Sequence, residues 1–276
     1  MSEFSVDAYS PKEIAARIEN ISVIKSTGDP LRVIALAILA GAFIAFGAVF
    51  YTIVTYDSSG MAAGLLRLLG GFAFSLGLIL VVVAGAELFT GNNLIVMAYV
   101  DGKVTFLQLM KNWITVYLGN FVGAFGIAVL IYFSGHWLID SGAVGSKAVA
   151  IANAKVNLTW MEAFTRGVLC NTLVCLAVWL CFAGRTVVDK VLAVIFPVAG
   201  FVAMGFEHSV ANMYFISAGL LAKHQPELGA ILATMDLENL NATGFIINNL
   251  IPVTLGNIVG GSLFVGLFYW FIYLRD

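Results

Sequence analysis

The chain has 276 residues, of which 61% are hydrophobic and 11% charged, with a formal net charge of −2. Soluble domains run at about 45–50% apolar and about 25% charged residues, so a water-soluble globular fold would lack the polar surface to cover such a core. The apolar excess must face lipid, and the charge balance excludes a nucleic-acid partner.

In chain order, Ser10-Pro11-Lys12-Glu13 predicts a helix start, with Ser10 as cap, Pro11 at the first helical position and Glu13 as the capping-box carboxylate. Ile14, Ile18, Ile21 and Ile24 then recur at helical spacing among Lys12, Glu13, Arg17 and Glu19. They predict a short amphipathic helix lying on the membrane surface or packed on a partner subunit. Gly28-Asp29-Pro30 ends it. The first residues lack the pattern of a cleaved leader, so the mature chain is expected to begin near Met1.

Four stretches carry no Asp, Glu, Lys or Arg: between Arg32 and Asp57, Lys111 and Asp140, Arg166 and Arg185, and Glu238 and Arg275. Each is long enough for a transmembrane helix of about 20 residues. Two more, Arg67 to Asp101 and Lys190 to Lys223, hold one mid-stretch acid each, Glu87 and Glu207, giving six expected spans. Asp140 to Thr159 and Lys223 to Asn241 are expected to be polar connections. Cys170, Cys175 and Cys181 lack metal-ligand spacing and are expected to be small core packers. No metal or other cofactor is implied. With both termini in the cytoplasm, nine of the Lys and Arg residues fall inside and five outside, Arg67, Lys147, Lys155, Arg166 and Lys223; that bias sets the expected orientation.

An internal repeat organises the spans. Asn112-Trp-Ile-Thr-Val-Tyr-Leu-Gly-Asn-Phe-Val-Gly in the third agrees at most positions with Asn249-Leu-Ile-Pro-Val-Thr-Leu-Gly-Asn-Ile-Val-Gly in the sixth. Glu87 and Asn92 in the second echo Glu207 and Asn212 in the fifth, preceded by Gly85 and Gly205. A three-span repeat unit must insert the second copy upside down, and in such folds the substrate site lies near the midplane. Residues 1–276 are thus expected to form one all-α membrane domain. It comprises a cytoplasmic amphipathic helix within 1–30, a first three-span repeat over 31–140 and an inverted one over 160–276.

Leu68 to Val100 is too long for one straight helix across about 30 Å of hydrocarbon, and it contains the polar run Gly85-Ala-Glu-Leu-Phe-Thr-Gly-Asn-Asn93. Spans two and five are therefore expected to break at the midplane, which membranes tolerate only where the backbone is buried in protein or lines a cavity. Half-helix N-termini pointing at the centre suit a small anion. His208 falls on the second break, where an ionisable residue marks a functional site by default; its alternative role is to join two helices as a neutral imidazole. For Glu87 and Glu207 the expected role is structural, accepting the backbone N–H groups freed at the breaks. Thr90 and Asn171 alone are ordinary span residues.

At these residues the chain resembles the formate–nitrite transporter family, and its formate branch in particular. The resemblance rests on Glu87-Leu-Phe-Thr-Gly-Asn, Asn112-Trp-x-x-Val-Tyr-x-Gly-Asn, Cys170-Asn-Thr-Leu-Val-Cys-Leu-Ala-Val-Trp, Phe206-Glu-His-Ser-Val-Ala-Asn-Met and Pro252-Val-Thr-Leu-Gly-Asn-Ile-Val-Gly-Gly. It implies an aquaporin-like fold of six helices in a homopentamer, one pore per subunit, in the inner membrane of a bacterium. It further implies that Thr90 and His208 face each other across the pore, with Asn171, Glu207 and Asn212 around the histidine and Lys155 on the periplasmic side. Phe74, Leu78 and Phe201, and Leu88, Phe89 and Val174, would build the two apolar constrictions. Formate is the implied substrate, with nitrite or hydrosulfide as the alternative and acetate also open. Glu87 stands where some formate channels carry Asp, which keeps the charge.

Rival classes fit less well. An intramembrane hydrolase needs a nucleophile near His208, and Ser209 and Ser75 lie in no Gly-x-Ser-x-Gly motif. A neutral-solute channel has no need of a midplane histidine, and the paired Asn-Pro-Ala loops of aquaporins are absent. The expected mechanism is passage of formate past His208 with transient protonation to the neutral acid.

Overall fold

The computed structural model describes residues 8–57 and 59–275, and every regular element among them is helical. In chain order they are α1 (Pro11–Thr27), α2 (Pro30–Thr55), α3 (Ala63–Ala84), α4 (Val96–Val100), α5 (Phe106–Phe133), α6 (Ala143–Val156), α7 (Trp160–Ala183), α8 (Val187–Ala203) and α9 (Ser209–Lys223). A last long helix, α10 (Gly244–Tyr273), includes two π-helical stretches. Among the described residues, α2, α3, α5, α7 and α10 are long and apolar enough to cross a membrane. The stretch from Lys190 to Lys223 is divided between α8, of 17 residues, and α9, of 15.

Local chemistry sets the helix starts. Ser10 and Glu13 form the expected capping box, and Asp29 accepts the Arg32 N–H at 2.9 Å to open α2. Thr105 with Gln108, Thr159 with Glu162 and Thr186 with Asp189 repeat the box on α5, α7 and α8. Each box satisfies N–H groups that a helix start leaves unpaired.

Two expectations are corrected here. The stretch between Asp140 and Thr159 is not a plain connection, because Ala143–Val156 forms α6. Its alanines favour helix, and Val144, Ala148, Val149, Ala152 and Val156 are buried, chiefly against α9. Nor does α1 lie free on a surface. Ile14, Ala15 and Ile18 are buried with Leu94, Met97, Cys175, Trp179 and Val265 of the same chain.

Polar contacts fix α1 as well. Its Glu19 pairs with Lys103 at 2.5 Å, Lys103 reaches Asp101 at 2.9 Å, and the Trp270 indole donates to Asp101 at 3.0 Å. The indole bond, then the Lys103 ammonium, push the Asp101 carboxyl down to about 2. Burial instead raises that of Glu19. The network ties α1 to the α4–α5 loop and to α10.

Packing repeats between the halves. Helix α2 packs on α3 and α5 as α7 packs on α8 and α10, while α3 packs on α8 across the join. These contacts are close because small residues line them, as membrane helices require. A Cβ on Gly71 would lie 2.6 Å from the Ala199 carbonyl oxygen, and one on Gly167 would lie 2.7 Å from that of Val253. Gly85 and Gly205 serve differently: they end α3 and α8 at φ of +80° and +73° with open space around the missing Cβ.

The two kinds of glycine predict different outcomes. Gly71→Val and Gly167→Val should abolish recovery of folded protein, since each drives a side chain into a neighbouring backbone. Gly85→Ala adds only the left-handed backbone cost of about 1–2 kcal/mol. It should give folded protein with a lowered unfolding temperature, read by thermal denaturation of the purified chain.

Candidate functional site

After α3 the chain turns at Gly85, runs without regular structure through Phe89, and enters a 3-10 turn at Gly91–Ile95 before α4. After α8 it turns at Gly205 and enters α9 at Ser209. The Glu87 N–H donates to the Leu36 carbonyl at 3.2 Å, and that of Glu207 to the Arg166 carbonyl at 3.3 Å. Asn120 on α5 donates to the carbonyls of Ala37 and Glu87 and accepts the Phe89 N–H at 2.9 Å. Asn257 on α10 donates to the carbonyls of Gly167 and Glu207 and accepts the Ser209 N–H at 2.9 Å. One asparagine thus answers the peptide groups released at each interruption.

The two segments meet at Thr90 and His208. Thr90 Oγ1 lies 2.9 Å from His208 Nε2, and both residues are buried. His208 also caps α9, its Nδ1 accepting the Ala211 N–H at 3.0 Å. An imidazole that accepts at Nδ1 carries its proton on Nε2 when neutral. Nε2–H therefore donates to Thr90 Oγ1, and the hydroxyl proton of Thr90 is left to donate elsewhere. Phe201 stacks on the imidazole with centroids 6.1 Å apart, and Phe74 meets Phe201 edge-on at 6.0 Å.

A cavity approaches this pair from each side. The larger, about 670 Å³, lies beside α1 and is lined by Lys25, Leu78, Glu87, Leu88 and Asn92 among others. The smaller, about 90 Å³, is lined by Tyr51, Phe74, Lys155, Phe201, Glu207 and His208 among others. Each holds a matching charged cluster. Lys25 Nζ reaches Glu87 at 3.0 Å; Asn92 donates to Glu87 at 2.7 Å and to Asn112 at 3.0 Å; Asn112 donates to the Lys25 carbonyl. Lys155 Nζ reaches Glu207 at 2.9 Å; Asn212 donates to Glu207 and to Asn249, both at 2.7 Å; Asn249 donates to the Lys155 carbonyl.

The predicted residues divide accordingly. Hydrogen bonds join Thr90 to His208 and, separately, Lys155 and Asn212 to Glu207, and His208, Glu207, Asn212 and Lys155 all line the smaller cavity. Asn171 adjoins them, but its amide donates to Asn93 Oδ1 and the Asn257 carbonyl, each at 2.7 Å, and to the Thr90 carbonyl at 3.3 Å. Its donors are spent on holding the Thr90 segment, with the Cys175 thiol on the same carbonyl. Leu78 and Leu88 line the larger cavity and Phe74 and Phe201 the smaller. Phe89 and Val174 line neither: Phe89 packs edge-on against Trp113 and Tyr117, and Val174 is buried in the core. The two acids accept from Lys and Asn side chains rather than from the backbone N–H groups expected of them.

Lys25, Asn112 and Asn249 were not foreseen as site residues. A signal for Lys25 existed, since it stands five residues before the start of α2 as Lys155 stands five before that of α7. Taking residues 140–159 for a plain connection hides that match.

A family model described as formate/nitrite transporter matches residues 12–271. The chain belongs to the formate/nitrite transporter family. It is 45% identical over 274 residues to the formate channel FocA of Escherichia coli K12, covering 98% of this chain and 96% of that one. It superimposes on a pentameric formate channel with formate bound at a TM-score of 0.83 and 45% identity, covering 89% of this chain and 98% of the other. An aquaglyceroporin from Plasmodium falciparum shares the fold, at a TM-score of 0.55 and 13% identity. A formate/nitrite transporter is a helical membrane protein of a family of channels and transporters, which accounts for an apolar exterior around a polar, cavity-flanked centre.

In this formate/nitrite transporter the lysine–glutamate pairs differ in exposure: the Lys155 and Glu207 side chains are 15% and 6% exposed, those of Lys25 and Glu87 27% and 12%. Removing one partner of a buried pair costs about 3–5 kcal/mol. Lys155→Met should therefore lower the unfolding temperature more than Lys25→Met. Adding Glu207→Gln to Lys155→Met should recover part of the loss, read by thermal unfolding of the purified variants.

Proposed function

We propose that this chain is a formate channel that works as a homopentamer, one pore per subunit, in the cytoplasmic membrane of a bacterium with both termini in the cytoplasm. The formate-channel relatives support substrate and assembly. Six spans follow if α3 with α4 and α8 with α9 each cross once, broken at Gly85–Thr90 and Met204–His208. The halves 31–140 and 160–276 then insert in opposite senses, and the excess of Lys and Arg beside α1 supports that side as cytoplasmic. Nitrite or hydrosulfide is the alternative substrate. The structure favours neither of them over formate.

The observation that carries the proposal is the Thr90–His208 pair between the two cavities. A bare anion entering an apolar constriction loses hydration at a cost of several kcal/mol. The free hydroxyl proton of Thr90, polarised by the imidazole behind it, offers a charge-assisted hydrogen bond there. Phe74, Leu78, Leu88 and Phe201 supply the apolar walls on either side. Lys25 and Lys155, beside Glu87, Asn92, Glu207 and Asn212, draw the anion to each approach, and Asn171 holds the Thr90 backbone in place.

The imidazole also bears on transient protonation. A second proton can enter the ring only at Nδ1, which is occupied by the Ala211 N–H. Relay through His208 therefore requires the ring to leave the α9 cap. Asn caps helices well, so His208→Asn preserves the turn but removes the titrating group. Formate efflux from proteoliposomes, with internal pH recorded, separates the two routes. Loss of pH dependence in His208→Asn assigns the proton to the ring; an unchanged profile means that formate brings its own.

Thr90→Ala tests the donor. One hydrogen bond to a charged group is worth about 1.5–3 kcal/mol, so formate flux should fall roughly tenfold or more, and Thr90→Ser should restore it. Wild-type flux in Thr90→Ala would remove Thr90 from the mechanism, and nitrite flux well above formate flux in the wild type would replace formate as substrate.

A further inference from the structure

The two cavities differ in size and in what lines them, and the difference exceeds what a one-carbon anion needs. At about 670 Å³, the cavity beside α1 falls in the range of roughly 300–1,000 Å³ typical of sites for organic ligands. The cavity on the other side, at about 90 Å³, does not. The walls of the larger are apolar, with Ile18, Ile21, Val81, Val82, Val178 and Phe182 among them. Its mouth is cationic: Arg17, Arg185 and Lys190 line it in addition to the paired Lys25.

The arginines are arranged around one ring. Arg17 lies over Tyr9 with its guanidinium carbon 3.8 Å from the centroid, and Arg185 lies over the same ring at 5.1 Å. Arg185 also donates to the Ala8 carbonyl at 2.9 Å. The Arg17 Nη1 atom is buried with no hydrogen-bond partner among the described residues. A buried guanidinium donor left unanswered is costly, and the Arg17 side chain is among those that line the cavity. Of the nearby acids, Glu87 is taken up by Lys25 and Asn92. Glu13 accepts from Ser10, and Asp189 caps α8 and accepts from Arg185 N–H. Among the described residues none of these acids accepts from Arg17 Nη1.

We infer that this cavity binds an organic carboxylate with an apolar, preferably aromatic, body. The carboxylate pairs with Arg17 and Arg185 while the body lies against the isoleucine, valine and phenylalanine walls. A bound molecule of that kind stands across the approach to Thr90 and His208 and blocks passage from the α1 side. The binding stands by itself; the block rests on the channel function proposed above.

The test uses the full chain in lipid nanodiscs, titrated calorimetrically with 2-naphthoate and with its uncharged analogue 2-naphthamide. The carboxylate should bind roughly tenfold tighter than the amide, as a charge-assisted bond to arginine requires. Arg17→Gln and Arg185→Gln should each weaken naphthoate several-fold, while Arg17→Lys retains much of the affinity. Equal binding of carboxylate and amide would reduce the site to apolar partitioning and overturn the inference. So would naphthoate affinity unchanged in both glutamine variants. In vesicles, formate efflux should fall over the concentration range in which naphthoate binds. Binding intact in a chain that passes no formate would leave this site standing and remove the channel function; formate flux with no naphthoate binding would do the reverse.

Discussion

A polypeptide that leaves the helical conformation inside an apolar layer frees peptide N–H and C=O groups, and each one left unpaired there costs several kcal/mol. Asn120 and Asn257 meet that demand, each donating to two carbonyls and accepting one N–H where the chain turns inward. Everything at the centre follows from those two side chains. They allow Glu87 and Glu207 to sit beside the turn without serving as backbone acceptors, which leaves both carboxylates for the lysines. They also let α9 start at His208, so the imidazole faces Thr90 while its other nitrogen is fixed by the helix it caps. Without the asparagines the turns would be too costly to keep.

The scaffold is paired but the centre is not. Aligning Glu87 with Glu207 and Asn92 with Asn212 places Leu88 opposite His208 and Thr90 opposite Val210. The repeat thus supplies two copies of the turn and of the lysine–glutamate–asparagine cluster, while the first half departs in Thr90 and the second in His208 and Ser209. Thr90 and His208 meet at 2.9 Å. A fully symmetric centre would present either two threonines or two histidines. The observed one presents a donor and a group that polarises it. The bed beneath Thr90 is likewise one-sided, because Asn171 corresponds to Gly41 and Cys175 to Ala45.

Much of this was legible in the sequence where a single physical rule dominates. Charge-free stretches mark α2, α5, α7 and α10 because a charged side chain in hydrocarbon is too costly to place casually. The echo of Asn112 through Gly123 in Asn249 through Gly260 is legible because tight packing and the asparagine role constrain almost every position. The histidine stands out for the same electrostatic reason. What was hidden depends on tertiary packing. The stretch holding α6 is polar enough to read as a loop, and only its burial against α9 shows it as the counterpart of α1. Lys25 could not be assigned before that, since it lies 62 residues from Glu87 in a segment read as peripheral. The resemblance places Asn171 around the histidine, and sequence does not reveal that Asn93 and the Asn257 carbonyl hold its amide. Nor does sequence reveal that the Phe89 ring packs edge-on against Trp113 and Tyr117.

The pairing of each approach lysine with a carboxylate has a consequence for a pore. Two unit charges 4 Å apart interact by about 4 kcal/mol at an effective dielectric of 20. A bare lysine at that distance from a small anion would hold it rather than pass it on. Conduction needs binding favourable enough for entrance and weak enough for exit. On the proposed function, Glu87 and Glu207 share their lysines with the arriving anion, and the amides of Asn92 and Asn212 keep each carboxylate in place. Each lysine–glutamate pair is then close to neutral in sum while still offering a local positive group. The net attraction is set by the difference in distance between ammonium and carboxylate rather than by a full charge. The more enclosed pair, Lys155 with Glu207, stands in the narrower cavity, where less water is present to screen an unmatched charge. The more exposed pair, Lys25 with Glu87, stands in the wide one, where solvent already shares that task.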